Sequence, residues 1–227
     1  MTSTDDGRAR LPQAVRALFD PAWQQVALAH AKWAVTKQLF VTSEARSAVL
    51  NRTAPDFFAL CQHSFVSDVL MATGRLLDPP RTGKRENRSL ERLRDAVTSC
   101  GDQALADALA LLLHAARQRE AATREHRNKR LAHNDLATIL SVGTSPLPPV
   151  TVADIDALLA DLAAFLNAID LRYCEGTTFF ADPIQNGDGD SLARWLRDGV
   201  RYREDELNRK RIEAGLPPVP PSLPPEA

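Results

Sequence analysis

An all-α protein is what this chain predicts, and three observations predict it: where the prolines stand, the apolar period between them, and the apolar content. All 15 prolines fall near segment starts, in pairs, in loops or in the tail. They leave residues 22–54, 81–145, 150–182 and 184–216 free of proline, which costs ~3 kcal/mol inside a helix. Within these stretches apolar residues recur at helical rather than strand spacing. With 44% hydrophobic and 25% charged residues, the 227-residue chain has an ordinary globular composition. The expected architecture is an up-and-down helical bundle of about five to six helices with a peripheral C-terminal helix. A flexible N-terminus (1–11) precedes the bundle (12–175), a loop and the peripheral helix follow (176–214), and a disordered Pro-rich tail (215–227) ends the chain.

The elements follow in order. Asp20-Pro21 reads as an N-cap followed by proline at the first helical position, with Trp23, Val26, Ala27, His30, Ala34, Val35 and Leu39 at helical spacing behind it. A short helix is expected from Ser43 to about Arg52. Thr53-Ala-Pro55 opens another, in which Phe57, Phe58, Leu60, Cys61, Phe65, Val69, Leu70 and Leu77 are expected to be buried, and Asp78-Pro79-Pro80 stops it. The loop from Pro79 to Arg88 carries Arg81, Lys84, Arg85 and Arg88. Ser89 caps a helix through Leu90, Leu93 and Val97 that Gly101 closes. Asp102 caps a long helix with Leu105, Leu109, Leu112 and Ala116 on one stripe and Ala104, Ala108, Leu111 and Ala115 beside it. From Arg124 to Arg130 no residue is apolar, so this helix is expected to leave the core and project outward. Thr151 with Asp154 forms a capping box, and Ile155, Leu158, Leu159, Leu162, Phe165 and Leu166 give an amphipathic helix to about Tyr173. A brief extended piece is expected between Thr177 and Ile184. Asp190 is the expected cap of a last helix, about Ser191 to Ala214, packed by Leu192, Trp195, Leu196 and Val200. The tail GLPPVPPSLPPEA is expected to bury nothing.

Several function classes drop out. A net charge of -1, from 28 basic and 29 acidic residues, excludes a polycation built to coat nucleic acid. Cys61, Cys100 and Cys174 lack CxxC spacing, and the N-terminus begins acidic without an apolar h-region, which together predict a cytoplasmic location. The longest apolar run, Ala108 to Leu113, falls far short of the ~18 residues of a membrane helix, so no membrane partner is expected. Thr82-Gly83-Lys84 lacks the first glycine and the hydroxyl residue of a phosphate loop. Cys61 and His63 are simply a cysteine and a helix-surface histidine, and no metal or other cofactor is expected. No aromatic residue stands between Arg81 and Ala163, which removes base stacking from that region. Trp23, Trp33 and Trp195 read as packing residues.

One string remains: Arg127-Asn-Lys-Arg-Leu-Ala-His133, followed by Asn134-Asp135. The spacing alone carries no weight. With the composition of this chain about 1.5 arginine–histidine pairs at such a separation arise by chance, and Arg119 with His126 is a second one. Charge adds something local. The stretches Arg117 to His133 and Arg81 to Arg94 each sum to about +4, and together could track phosphates if they share a face.

That string, downstream of Leu76-Leu-Asp-Pro-Pro-Arg-Thr-Gly-Lys-Arg-Glu-Asn-Arg-Ser-Leu-Glu-Arg-Leu93, resembles the HEPN superfamily, in particular its abortive-infection branch of the U type, over roughly Ala22 to Tyr173. The resemblance implies an α-helical bundle that pairs into a homodimer and, in many members, a metal-independent endoribonuclease of toxin or antiphage systems. It implies Arg127 and His133 as the catalytic pair and Asn128 as the polar residue after the arginine. Lys129, Arg130, Arg124 and His126 are the neighbours that would bind substrate RNA. A cognate antitoxin or another defence-system partner is implied as well. Other members have lost activity, so a catalytically silent bundle that binds nucleotide, RNA or a protein is the rival expectation. In the branch paired with a nucleotidyltransferase antitoxin a tyrosine stands two residues after the histidine. Here Asp135 does, and control by modifying that tyrosine is not expected.

The chemistry stands without the name. Transesterification of RNA needs a base for the 2′-hydroxyl proton, an acid for the leaving oxygen, and positive charge for the phosphorane. One imidazole cannot serve as both at once, whereas a two-fold axis would supply a second. An ideal helix sets Arg127 and His133 ~120° apart, so the long arginine must reach round or the helix must distort.

Overall fold

The computed structural model describes residues 8–126, 150–183 and 187–223. Among them are seven α-helices, α1 (Gln13–Phe40), α2 (Glu44–Thr53), α3 (Pro55–Leu77), α4 (Leu90–Ser99), α5 (Gln103–His126), α6 (Val152–Cys174) and α7 (Gly189–Glu213). The one sheet among the described residues is a short antiparallel hairpin between α3 and α4, β1 (Arg81–Thr82) with β2 (Arg85–Glu86), in register Arg81 to Glu86 and Thr82 to Arg85. The fold is all-α, as the sequence predicts. No described helix is long and apolar enough to cross a membrane.

Two compact units divide the chain: Met1–Ala31 with Ser67–Pro183, and Lys32–Val66 with Ile184–Ala227. In the first, α5 packs along α6 and against α4. Val15, Phe19, Leu77, Leu93, Leu109 and Phe165 are among the fully buried side chains of its core. Each such side chain contributes about 1.5–3 kcal/mol.

The first helix begins earlier than Asp20-Pro21 suggests. The carbonyl of Pro12 accepts the first helical N–H, from Arg16, and the helix runs straight through Pro21. The reason is a stripe that proline does not interrupt: Leu11, Val15, Phe19, Ala22 and Val26 are all buried on one face. Their burial outweighs the backbone hydrogen bond that Pro21 cannot donate. Asp20, freed from capping, pairs with Arg16 and Arg8.

Local signals set the other starts. Ser89 accepts the N–H of Arg92, Asp102 that of Leu105, and Thr151 and Asp154 form the reciprocal box at the head of α6. The second stripe expected on α5 lies on the wrong side. At 100° per residue Leu105, Leu109, Leu113 and Ala116, with Ala106, fill an arc of about 100°, and Ala104, Ala108 and Leu111 fall outside it. The first group is buried, while Ala104, Ala108 and Leu111 are exposed. Between Thr177 and Pro183 there is no strand. Instead the Asn167 amide pairs with both backbone groups of Thr178, and Trp23 Nε1 donates to the Thr178 hydroxyl at 3.0 Å. Phe180 is buried and stacks on His30, whose Nε2 lies 3.2 Å from the Leu159 carbonyl.

The second unit holds α2 with its cap Ser43, the first half of α3, the end of α1, and α7. Leu39, Leu50, Phe58 and Ala193 form its core. Phe57 and Leu60, expected inside, are exposed. The cap of α7 is Asp188, which accepts the Ser191 N–H at 2.9 Å, rather than Asp190, which pairs with Arg46. Gly189, Ala193 and Leu196 form the packed face, and the absence of a side chain at Gly189 lets the helix approach Gln38 and Leu39. Leu192 and Trp195 consequently point outward, Trp195 being 76% exposed. The tail also departs from expectation. Val219 exchanges two hydrogen bonds with the Asn208 amide, Arg211 donates to the Pro217 carbonyl, and Leu223 is buried.

Candidate functional site

Helix α5 ends at His126, and the string of interest follows it in sequence, so the site is built from the residues that anchor that end. The buried stripe does not stop with the apolar residues, because Glu120 and Thr123 continue it at 1% and 2% exposure. The stripe is therefore buried as far as Thr123, and Arg124, where the residues without apolar character begin, is exposed.

Charge pairs fix the helix there. Arg117 donates through Nε to the carbonyl of Leu77 at 3.2 Å and through Nη2 to Glu91 at 2.6 Å. The first bond satisfies a terminal carbonyl of α3, and the second ties α5 to α4. Arg119 pairs with Asp161 of α6 at 2.7 Å. Arg124 grips the Glu120 carboxylate with Nε at 3.0 Å and Nη2 at 2.6 Å, an i,i+4 pair facing the buried stripe. That hydrogen bond raises the Arg124 pKa above its ordinary value against the opposing effect of burial, and the negative charges of Glu120 and Asp78 add to it.

The sequence set the two basic stretches side by side only as a possibility. In the structure Arg117 of one meets Glu91 of the other, so α5 and the start of α4 are neighbours. The charge is less bare than counting implies, since Arg117, Arg119 and Arg124 all face carboxylates. Glu91 and Asp161 escaped sequence reasoning because they sit on other helices. Glu120 was legible as the i,i+4 partner of Arg124.

Of the candidate residues, Arg124 is placed on α5 and His126 is the last residue of that helix. Arg127, Asn128, Lys129, Arg130 and His133 lie outside the described residues, and with them the angle between Arg127 and His133. Among the described residues no group of three or more His, Cys, Asp or Glu side chains is placed to hold a metal ion.

A bundle whose long core helix leads into an arginine-to-histidine string has the features of a HEPN protein. The family model described as AbiU2, of the HEPN type, matches residues 12–188, and the chain belongs to that family. The match contains the whole string Arg127 to His133 and stops before α7. Membership points to an abortive-infection, ribonuclease-like role. No curated protein and no solved structure matches the chain.

Proposed function

We propose that the protein is a metal-independent endoribonuclease of abortive infection, acting in the cytoplasm as a homodimer and serving as a toxin or antiphage effector held in check by a cognate partner. The observation that carries this reading is that the residues matched by the family, 12–188, include Arg127-Asn-Lys-Arg-Leu-Ala-His133. In this reading His133 of one protomer takes the 2′-hydroxyl proton while the same residue of the second protomer protonates the departing 5′-oxygen. The 2′-oxygen attacks phosphorus, the P–O5′ bond breaks, and a 2′,3′-cyclic phosphate remains. Arg127 stabilises the charge on the phosphorane, Asn128 orients it, and Lys129, Arg130, Arg124 and His126 hold the flanking strand. An imidazole with its ordinary pKa of ~6.5 suits both proton transfers near neutrality.

The test uses purified full-length protein with RNA in excess chelator. Cleavage is expected, and His133→Ala and Arg127→Ala are each expected to reduce it at least ~100-fold, the scale of losing a general acid–base or a charge-stabilising group. Equal cleavage by native protein and both variants refutes the assignment. Expression of the native chain is expected to arrest growth, and that of His133→Ala is not.

A further inference from the structure

Cation pairing in the first unit is uneven. Outside residues 75–88, every described arginine of that unit has a carboxylate oxygen within 3.7 Å. Arg75, Arg81, Lys84, Arg85 and Arg88 have none among the described residues, and each is exposed. In a chain of net charge -1, the described cations of this unit that lack a carboxylate thus stand on the end of α3 and on the hairpin.

The hairpin does not need those cations to hold its shape. Asn87 donates from its side chain to the Pro79 carbonyl and the Thr82 hydroxyl, both at 2.8 Å, and from its backbone to the Pro80 carbonyl at 2.8 Å. Gly83 takes the left-handed φ of 60° that the turn requires. Glu86 ties the hairpin to Arg92 of α4 at 2.8 Å. The side chains of Lys84, Arg85 and Arg88 thus stand on a fixed scaffold without an ion-pair partner among the described residues. Their place is also fixed: Arg117 of α5 binds the Leu77 carbonyl, and the charge of Asp78 acts on Arg124. The hairpin starts within a few residues of Leu77 and Asp78, beside the second half of the helix that leads into Arg127.

We infer that this hairpin is a docking surface for the ribose-phosphate backbone of RNA, outside the Arg127 to His133 string. The inference rests on the ribonuclease reading above. Residues 81–88 contain no apolar side chain, so they lack the buried anchor of a protein interface and the wedge of a membrane-inserting loop. They offer guanidinium, ammonium, hydroxyl and amide donors, which suit phosphate oxygens. Without an aromatic platform the contact reads charge and not bases, so the hairpin binds RNA with little regard to sequence.

The test measures binding of a fluorescent single-stranded RNA to full-length protein carrying His133→Ala, across a series of salt concentrations. Each phosphate contact contributes a slope of about 0.7 in the log–log plot. Adding K84Q, R85Q and R88Q together is expected to lower the slope by about 2 and to weaken binding tenfold or more at physiological salt. The charge-keeping set K84R, R85K and R88K is expected to retain both. An unchanged slope, or equal loss in the two sets, overturns the inference, and if His133→Ala still abolishes cleavage the ribonuclease reading survives it. Loss of poly-glutamate binding with RNA binding intact assigns the surface to an acidic protein and also overturns the inference. Absence of both RNA binding and cleavage in the native chain overturns the ribonuclease reading itself.

Discussion

Asp170 shows at the scale of one residue how the first unit handles a charge that its core does not favour. The residue is 6% exposed, its carboxylate accepts from the Thr178 hydroxyl at 3.3 Å, and it adjoins Cys174. Burial raises its pKa above the ordinary carboxylate value, and it outweighs the opposing pull of Arg8 and the two hydrogen bonds. The sign of the pH effect follows. The folded state keeps the proton to a higher pH than the unfolded state, so stability falls as pH rises from the unfolded carboxylate value through the raised folded one. Asp170→Asn keeps the shape without the charge. Its melting temperature relative to the native chain is expected to rise between pH 4 and pH 7, and a difference that stays constant or shrinks contradicts the buried-charge account. Arg124 is the converse case, a cation whose partner one turn earlier, Glu120, can be named from spacing and meets it in the structure.

At the scale of elements, what could be read in advance was what neighbouring residues decide among themselves. Ser43, Ser89, Asp102 and the Thr151–Asp154 box mark their helices because a cap and the N–H groups it serves are at most three residues apart. Pro21 misled because a stripe from Leu11 to Val26 overrides a local breaker, and Asp190 misled because the partner that decides α7 is the end of α1. The site divides in the same way. The candidate string Arg127 to His133 is contiguous and stands out in the sequence, though it lies outside the described residues, whereas Glu91 and Asp161 reach Arg117 and Arg119 from other helices and cannot be read from spacing. Helix α7 turns this into a paired experiment on two glycines. A Cβ at Gly189 would sit 2.9 Å from Gln38 Cβ and 3.1 Å from Leu39 Cγ, while one at Gly199 meets nothing within 4 Å. Gly189→Ala is therefore expected to destabilise by about 1–3 kcal/mol despite the better helix propensity of alanine. Gly199→Ala is expected to stabilise by about 0.5–1 kcal/mol. Thermal unfolding of both variants checks this, and effects of equal sign contradict the packing at Gly189.

At the scale of the whole molecule, the proposed chemistry makes a demand that no single chain can meet, since one imidazole cannot give and take a proton in the same step. A site shared across a two-fold axis has a consequence that a site complete in one chain lacks: an inactive subunit poisons an active one. The composite site needs His133 from both chains, so a mixed dimer of native and His133→Ala subunits is expected to be as inert as the doubly mutant dimer. Native chain is mixed with a ninefold excess of His133→Ala and left to exchange subunits, and then only about one native chain in ten still faces a native partner. Cleavage per native chain is expected to fall to about a tenth, whereas dilution of the same native chain with an unrelated protein leaves it unchanged. Sedimentation at the same concentrations establishes whether the chains are paired. A dimer whose native subunits keep full activity beside mutant ones places a complete site in each protomer, and the assignment of base and acid to two copies of His133 is then wrong even though cleavage remains.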